Sequence, residues 1–186
     1  AEDGLTSVKY QAVLYGLLAE ENKNLRAVKS LDTITTAVTA RVLSRPPRTH
    51  YDTLLLGAGS ATGISVHDAV LFNGVLLGEI ISVTASSATV ELFSTPKSEH
   101  DVILGNPSAV AIARGLGGGA FEVQVPQGVA VLQNDSVRAA TDDTLLLGVV
   151  VSVSGSATDA TKTVHVASPV SMSEIDFVSI VPQGDI

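Results

Sequence analysis

His67-Asp68-Ala69-Val70, followed by Leu77-Gly78-Glu79-Ile80-Ile81-Ser82-Val83, recurs as Asn134-Asp135-Ser136-Val137, followed by Leu147-Gly148-Val149-Val150-Val151-Ser152-Val153. The offset is 67 residues at the aspartate and 70 at the Leu-Gly, so one copy contains a slightly longer hairpin. Each copy reads as a turn aspartate before a strand, a glycine that permits a bend or bulge, and a long strand ending Ser-Val. Two related small β-barrels are the simplest product of such a repeat. Their join is expected near 98–105 or 115–119.

Working outward, the remainder of the body shows the same grammar. Short runs rich in Val, Ile, Leu and Thr are separated by Gly, Asn, Asp or Ser, and they predict strands at about 53–56, 69–72, 76–83, 89–93, 101–104, 109–114, 120–125, 136–139, 145–153, 163–167 and 177–181. Val38 to Val42 alternates before Arg45-Pro46-Pro47-Arg48, where two prolines cannot donate to a central ladder. No helical period intervenes, which excludes a parallel α/β sheet with its crossover helices and favours barrels or a sandwich.

Ahead of the strands the period is helical, from about Val8 to Val28. Placing Val8, Tyr15, Asn22 and Lys29 at a positions puts Gln11, Leu18 and Leu25 at d, so the best seam runs from Tyr15 to Leu25. An asparagine at a between two leucines at d costs stability but fixes register by pairing with its copy on a partner helix. Tyr15, Leu18, Asn22 and Leu25 are therefore the expected oligomerisation residues. The alternative is a helix that docks its Leu14, Leu17 and Leu18 face on its own body. A seam of about three heptads is marginal by itself. The expected fold is mainly β: an N-terminal coiled-coil helix (1–32), a first β-barrel (33–105) and a second β-barrel (106–176).

Composition and charge narrow the function classes. The 186 residues are 45% hydrophobic and 16% charged, enough for one sizeable core or two small ones. Residues 1–48 carry seven bases and five acids, net +2; the remainder carries four bases and fourteen acids, net −10. A body that acidic repels phosphate backbones, so no nucleic acid partner is expected. Cysteine is absent, which removes disulfides and thiolate metal sites. The longest apolar runs fall well below the ~20 residues needed to span a bilayer. Ala1-Glu2-Asp3-Gly4 lacks an initiator methionine and a signal sequence, as expected of a processed or truncated chain.

Site chemistry is sparse. His50, His67, His100 and His165 have no metal-ligand spacing, so no metal and no cofactor are expected. Gly57-Ala58-Gly59-Ser60 is not a nucleophile elbow, and Gly115-Leu116-Gly117-Gly118-Gly119 lacks the lysine and helix of a phosphate loop, reading instead as a wide hairpin or an inter-barrel hinge. With seven aromatics and no Trp, a stacking platform is poorly supplied. Tyr51, Phe72, Phe93, Phe121 and Phe177 are expected in the core.

Taken in order, Leu18 to Arg26, Ala37 to Arg45, Tyr51 to Val70 (YDTLLLGAGSATGISVHDAV), Asn73 to Ile80 (NGVLLGEI), Thr89 to Phe93, Gly115 to Gly118 and Gly148 to Val153 resemble the bacterial rod shape-determining protein MreC family over nearly the whole chain. The chain departs from the family at Arg138 to Leu147 (RAATDDTLLL), where a glycine-rich loop is usual.

The resemblance implies a non-enzymatic, self-associating scaffold of the cell-elongation machinery, forming a dimer or filament. It implies a place on the extracytoplasmic (periplasmic) face of the cytoplasmic membrane, with a single-pass anchor N-terminal to Ala1. Its implied partners are a class B penicillin-binding transpeptidase, a RodA-type glycosyltransferase, MreD and MreB, through which peptidoglycan synthesis maintains cell shape. It further implies that Phe177 to Val181, within a strand of about 177–182, returns to complete the first barrel. Two other readings compete: a periplasmic adaptor of an export complex, which would need a long helical hairpin, and a two-barrel serine protease, whose triad needs a geometry that spacing does not supply.

Overall fold

The computed structural model describes residues 37–49 and 52–183. Its described strands are β1 (Val38–Ser44), β2 (Thr53–Leu56), β3 (Ala69–Phe72), β4 (Val75–Val83), β5 (Ala88–Leu92), β6 (Glu99–Leu104), β7 (Ala109–Gly117), β8 (Ala120–Pro126), β9 (Ser136–Ala139), β10 (Leu146–Ser154), β11 (Thr161–Ala167) and β12 (Phe177–Val181). Single 3₁₀ turns lie at Ser60–Thr62 and Met172–Glu174. The helical segment expected at 1–32 lies outside the described residues.

Pairing closes a six-stranded barrel in the order β1, β2, β5, β4, β3, β12 and back to β1. The other six strands pair in a second closed circuit, β6, β7, β8, β11, β10, β9 and back to β6. One parallel bridge, Val75 to Leu146, joins the two. Each circuit encloses its own apolar core: Leu54, Leu56, Ile80, Val90, Leu92 and Ile180 in the first, Val102, Leu104, Val123, Leu147, Val164 and Val166 in the second. Closure removes long free edges, which an all-β chain otherwise leaves open to aggregation.

The sequence repeat is a repeat of geometry. His67 and Asn134 both adopt positive φ, 74° and 70°. The aspartate that follows does the same work twice, since Asp68 Oδ2 accepts from Ser65 N–H and Asp135 Oδ2 from Leu132 N–H, each at 2.8 Å. Leu77 and Leu147 are bulge residues, skipped where β4 meets β3 and where β10 meets β9. Ile81 and Val151 are bulged again on the opposite side, against β5 and β11. Two bulges per long strand bend it enough to pair with a different neighbour at each end.

The glycines between those bulges are obligatory. A Cβ on Gly78 would sit 2.0 Å from the Glu91 carbonyl oxygen, and one on Gly148 would sit 2.6 Å from Val166 Cγ1 and 2.8 Å from the Ala167 carbonyl oxygen. Neighbouring strands approach too closely there for any side chain.

One boundary needs correction. A division at 105/106 assigns residues 99–104 to the first barrel, but β6 pairs with β7 and β9 and turns Val102 and Leu104 into the second core. Gly105, at φ 80°, is a turn within the second circuit, and the change of circuit lies at residues 93–98. Gly115 to Gly119 is the tip of the β7–β8 hairpin.

Gly78→Ala and Gly148→Ala are expected to lower stability by roughly 1–3 kcal/mol or more through overpacking, with the larger loss at Gly78. Gly128→Ala, where a Cβ meets nothing within 4 Å, serves as the neutral control. Denaturant melts of the three variants check this.

Candidate interaction surface

β7 carries the most exposed apolar residues of the second circuit's strands. Val110 is 70% and Ile112 53% exposed. They stand opposite Ile103 and Asp101 of β6, beside an exposed Arg114–Glu99 ion pair at 2.7 Å. Pairing of β7 with β8 stops at Ala113 and Val123. In the continued register Pro126 would face Val110, but a proline has no N–H to give, and its carbonyl already accepts from Val129 N–H at 3.1 Å. The first half of β7 is therefore paired on its β6 side alone, a short strand edge flanked by outward valine and isoleucine.

A second exposed apolar site lies on the first barrel. Leu43, the bulge residue of β1, is 57% exposed, and Phe177 on β12 is 55% exposed. Phe177 stands opposite Arg41, so Leu43 is its diagonal neighbour on the same outer face. This corrects the expectation that Phe177 is core. The alternation of β12 turns Val178 and Ile180 inward, and Phe177 falls on the outward parity. Phe121 is buried as expected, whereas Phe72 and Phe93 pack at the margins of the cores. Tyr51 lies outside the described residues.

The expected oligomerisation residues, Tyr15, Leu18, Asn22 and Leu25, and His50 also lie outside the described residues. The other histidines are dispersed. His67 Nδ1 is 3.8 Å from Glu79 Oε2 on the surface, a contact worth little in water. His165 sits on β11 opposite Ser152 and Glu122. His100 on β6 packs its ring against Phe93, centroids 4.3 Å apart, with Nε2 buried and unpartnered. Burial holds its pKa below the ordinary 6.5, outweighing the opposing pull of Glu79, a hydrogen bond with the Phe93 backbone, Glu91 and Asp101. Among the described residues, no group of three or more acidic or histidine side chains is placed to hold a metal ion. None of the described helices is long and apolar enough to cross a membrane.

Residues 42–182 match the family model for the rod shape-determining protein MreC, barrel core. The chain belongs to the MreC family. MreC from Pseudomonas aeruginosa is similar to it in structure, with a TM-score of 0.72 at 17% identity over 78% of this chain and 99% of that one. The major periplasmic domain of "the cell shape-determining filament MreC" aligns with a TM-score of 0.60 at 20% identity, covering 79% of this chain and 95% of that one. A complex between penicillin-binding protein PBP2 and MreC from Helicobacter pylori contains a third similar chain, with a TM-score of 0.54 at 12% identity, covering 78% and 98%. No curated protein matches by sequence. At these identities the solved structures establish a shared fold. The MreC family consists of structural, shape-determining proteins, and this chain is one of them.

His100 gives a pH dependence with a defined sign. Because its folded pKa lies below 6.5, the unfolded chain takes up the proton first, so the contribution of the neutral ring is complete above pH 6.5 and is lost as pH falls through the folded value. Melting temperatures of the parent should decline on acidification from pH 7.5 toward 5.5. His100→Phe should flatten that decline, as a comparison of the two melting series will show.

Proposed function

We propose that the protein is a non-catalytic scaffold of the bacterial cell-elongation machinery, which displays its barrels on the extracytoplasmic side of the membrane to organise peptidoglycan synthases. The observation that carries this reading is the match of residues 42–182 to the MreC barrel core, together with the likeness to an MreC chain found in complex with PBP2. A class B penicillin-binding transpeptidase is accordingly the first partner. A RodA-type glycosyltransferase, MreD and MreB follow from family membership.

Physical chemistry supports the same role. The β7 edge offers unpaired backbone next to Val110 and Ile112. Strand addition to such an edge combines main-chain hydrogen bonds with side-chain burial. Covering an exposed valine or isoleucine contributes up to ~1.5–3 kcal/mol, so a few such residues supply a usable interface. We take residues 38–92 with 177–181 and residues 99–167 as the two barrel domains. The N-terminal helix pairs copies of the chain through Tyr15, Leu18, Asn22 and Leu25, and an anchor preceding Ala1 tethers the assembly to the membrane.

Crosslinking the chain in cells, followed by identification of captured proteins, should recover a penicillin-binding transpeptidase or another elongation component. Recovery of neither would sink the scaffold reading. For self-association, Asn22→Leu should change the oligomeric state seen by light scattering, because the buried amide sets register and strand number. An Asn22→Leu chain that stays monomeric like its parent would show that the helix docks on its own body.

A further inference from the structure

The two barrels are joined by little backbone: crossovers at residues 93–98 and 168–176 and the single bridge between Val75 and Leu146. Beside the first crossover sits Asp52, only 9% exposed. Its carbonyl oxygen is bound into the first barrel, accepting from Leu92 N–H at 2.8 Å. Its carboxylate points the other way. Oδ2 accepts from the Ser94 hydroxyl at 2.9 Å and from the Gly118 N–H at 2.7 Å, and Gly118 lies at the tip of the β7–β8 hairpin of the second barrel.

The hairpin tip is shaped for this contact. Gly117, Gly118 and Gly119 all adopt positive φ, 97°, 63° and 83°, a run that side chains resist. Gly117 N–H donates to the Ser94 carbonyl at 2.6 Å, and Ser168 N–H donates to the Gly119 carbonyl at 2.7 Å, so the tip also touches both crossovers. A carboxylate this buried needs such donors. The glycine-rich stretch that resembles no phosphate loop is, in this geometry, a receptor for the protein's own carboxylate.

We propose that Asp52 is an inter-barrel latch, whose bonds to Ser94 and Gly118 hold the second barrel at one orientation to the first and whose release frees the barrels to swing about residues 93–98. The Asp52 carboxylate thereby adds a side-chain tie to the few backbone contacts between the barrels, and its loss loosens their orientation without unfolding either core. This inference does not depend on which partner the barrels bind.

The test uses the full chain, which has no cysteine of its own. Spin labels at S179C on β12 and Q124C on β8, both exposed positions, report the inter-barrel distance by pulsed dipolar spectroscopy. The parent should give one narrow distance. Asp52→Ala, which removes the oxygen that accepts from both Ser94 and Gly118, should broaden the distribution toward longer distances while the circular dichroism spectrum of a folded β protein is kept; Ser94→Ala, which removes one of the two bonds, should broaden it less. A folded Asp52→Ala chain with the parent's narrow distribution would overturn the proposal. Should Asp52→Ala fail to fold, Ser94→Ala decides, its broadening supporting the latch and a parental distribution overturning it.

Discussion

Everything in the described part of the molecule depends on how closely two strands can pass at Gly78 and at Gly148. There, the missing side chain lets β5 and β11 approach the long strands to within a distance that a Cβ would forbid. The bulges at Leu77 and Ile81, and at Leu147 and Val151, place the bend on either side of that approach. A long strand so bent can pair with one neighbour through its first half and another through its second. Each six-stranded circuit closes by that route, with its valines and leucines turned inward.

Closure decides what remains available on the outside. Inside, the alternation is used up by the two cores; outside, the same alternation leaves Leu43 and Phe177 on one barrel and Val110 and Ile112 on the other. Pro126 interrupts the β7–β8 ladder, so the second circuit is sealed less completely than the first at that point. A scaffold benefits from such a contrast, since rigid closed cores hold a few adherent positions at fixed places on the surface. Ala69, Leu71, Leu76, Leu145 and Val181 are buried yet belong to neither core. Leu71 and Leu76 flank the turn at Asn73–Gly74, whose Gly74 carbonyl accepts from Leu146 N–H at 3.3 Å across the junction of the two barrels. The stretch RAATDDTLLL, where the chain departs from its family, thus forms part of this junction.

Much of the architecture was legible in the residues. The twin phrases around Asp68 and Asp135 stood out because turn geometry demands a short acidic side chain after a positive-φ residue, and because a close strand approach demands glycine. Strand identity followed from short runs rich in Val, Ile, Leu and Thr, separated by turn residues. Less legible was the partner of each strand. β6 reads as a continuation of what precedes it, and Gly105 looks like a boundary, yet pairing with β7 and β9 carries β6 into the second circuit. Phe177 reads as core by residue type, and only the parity of β12 against β1 turns it to solvent. Asp52 gave no signal at all, because a lone aspartate before a strand resembles any turn residue until the tip at Gly118 is folded against it.

The amino-acid sequence by itself determined the class of structure, the duplication, the positions of the bends and the family, since each rests on local properties: period, turn chemistry and the need for a missing side chain. Tertiary structure alone decided which strands close on which, which apolar residues are left facing outward, and that a buried carboxylate of one barrel is satisfied by the hairpin of the other. Those are relations between residues up to 142 positions apart, as between Val38 and Ile180 across the first barrel's seam, and local sequence does not encode distance across a fold.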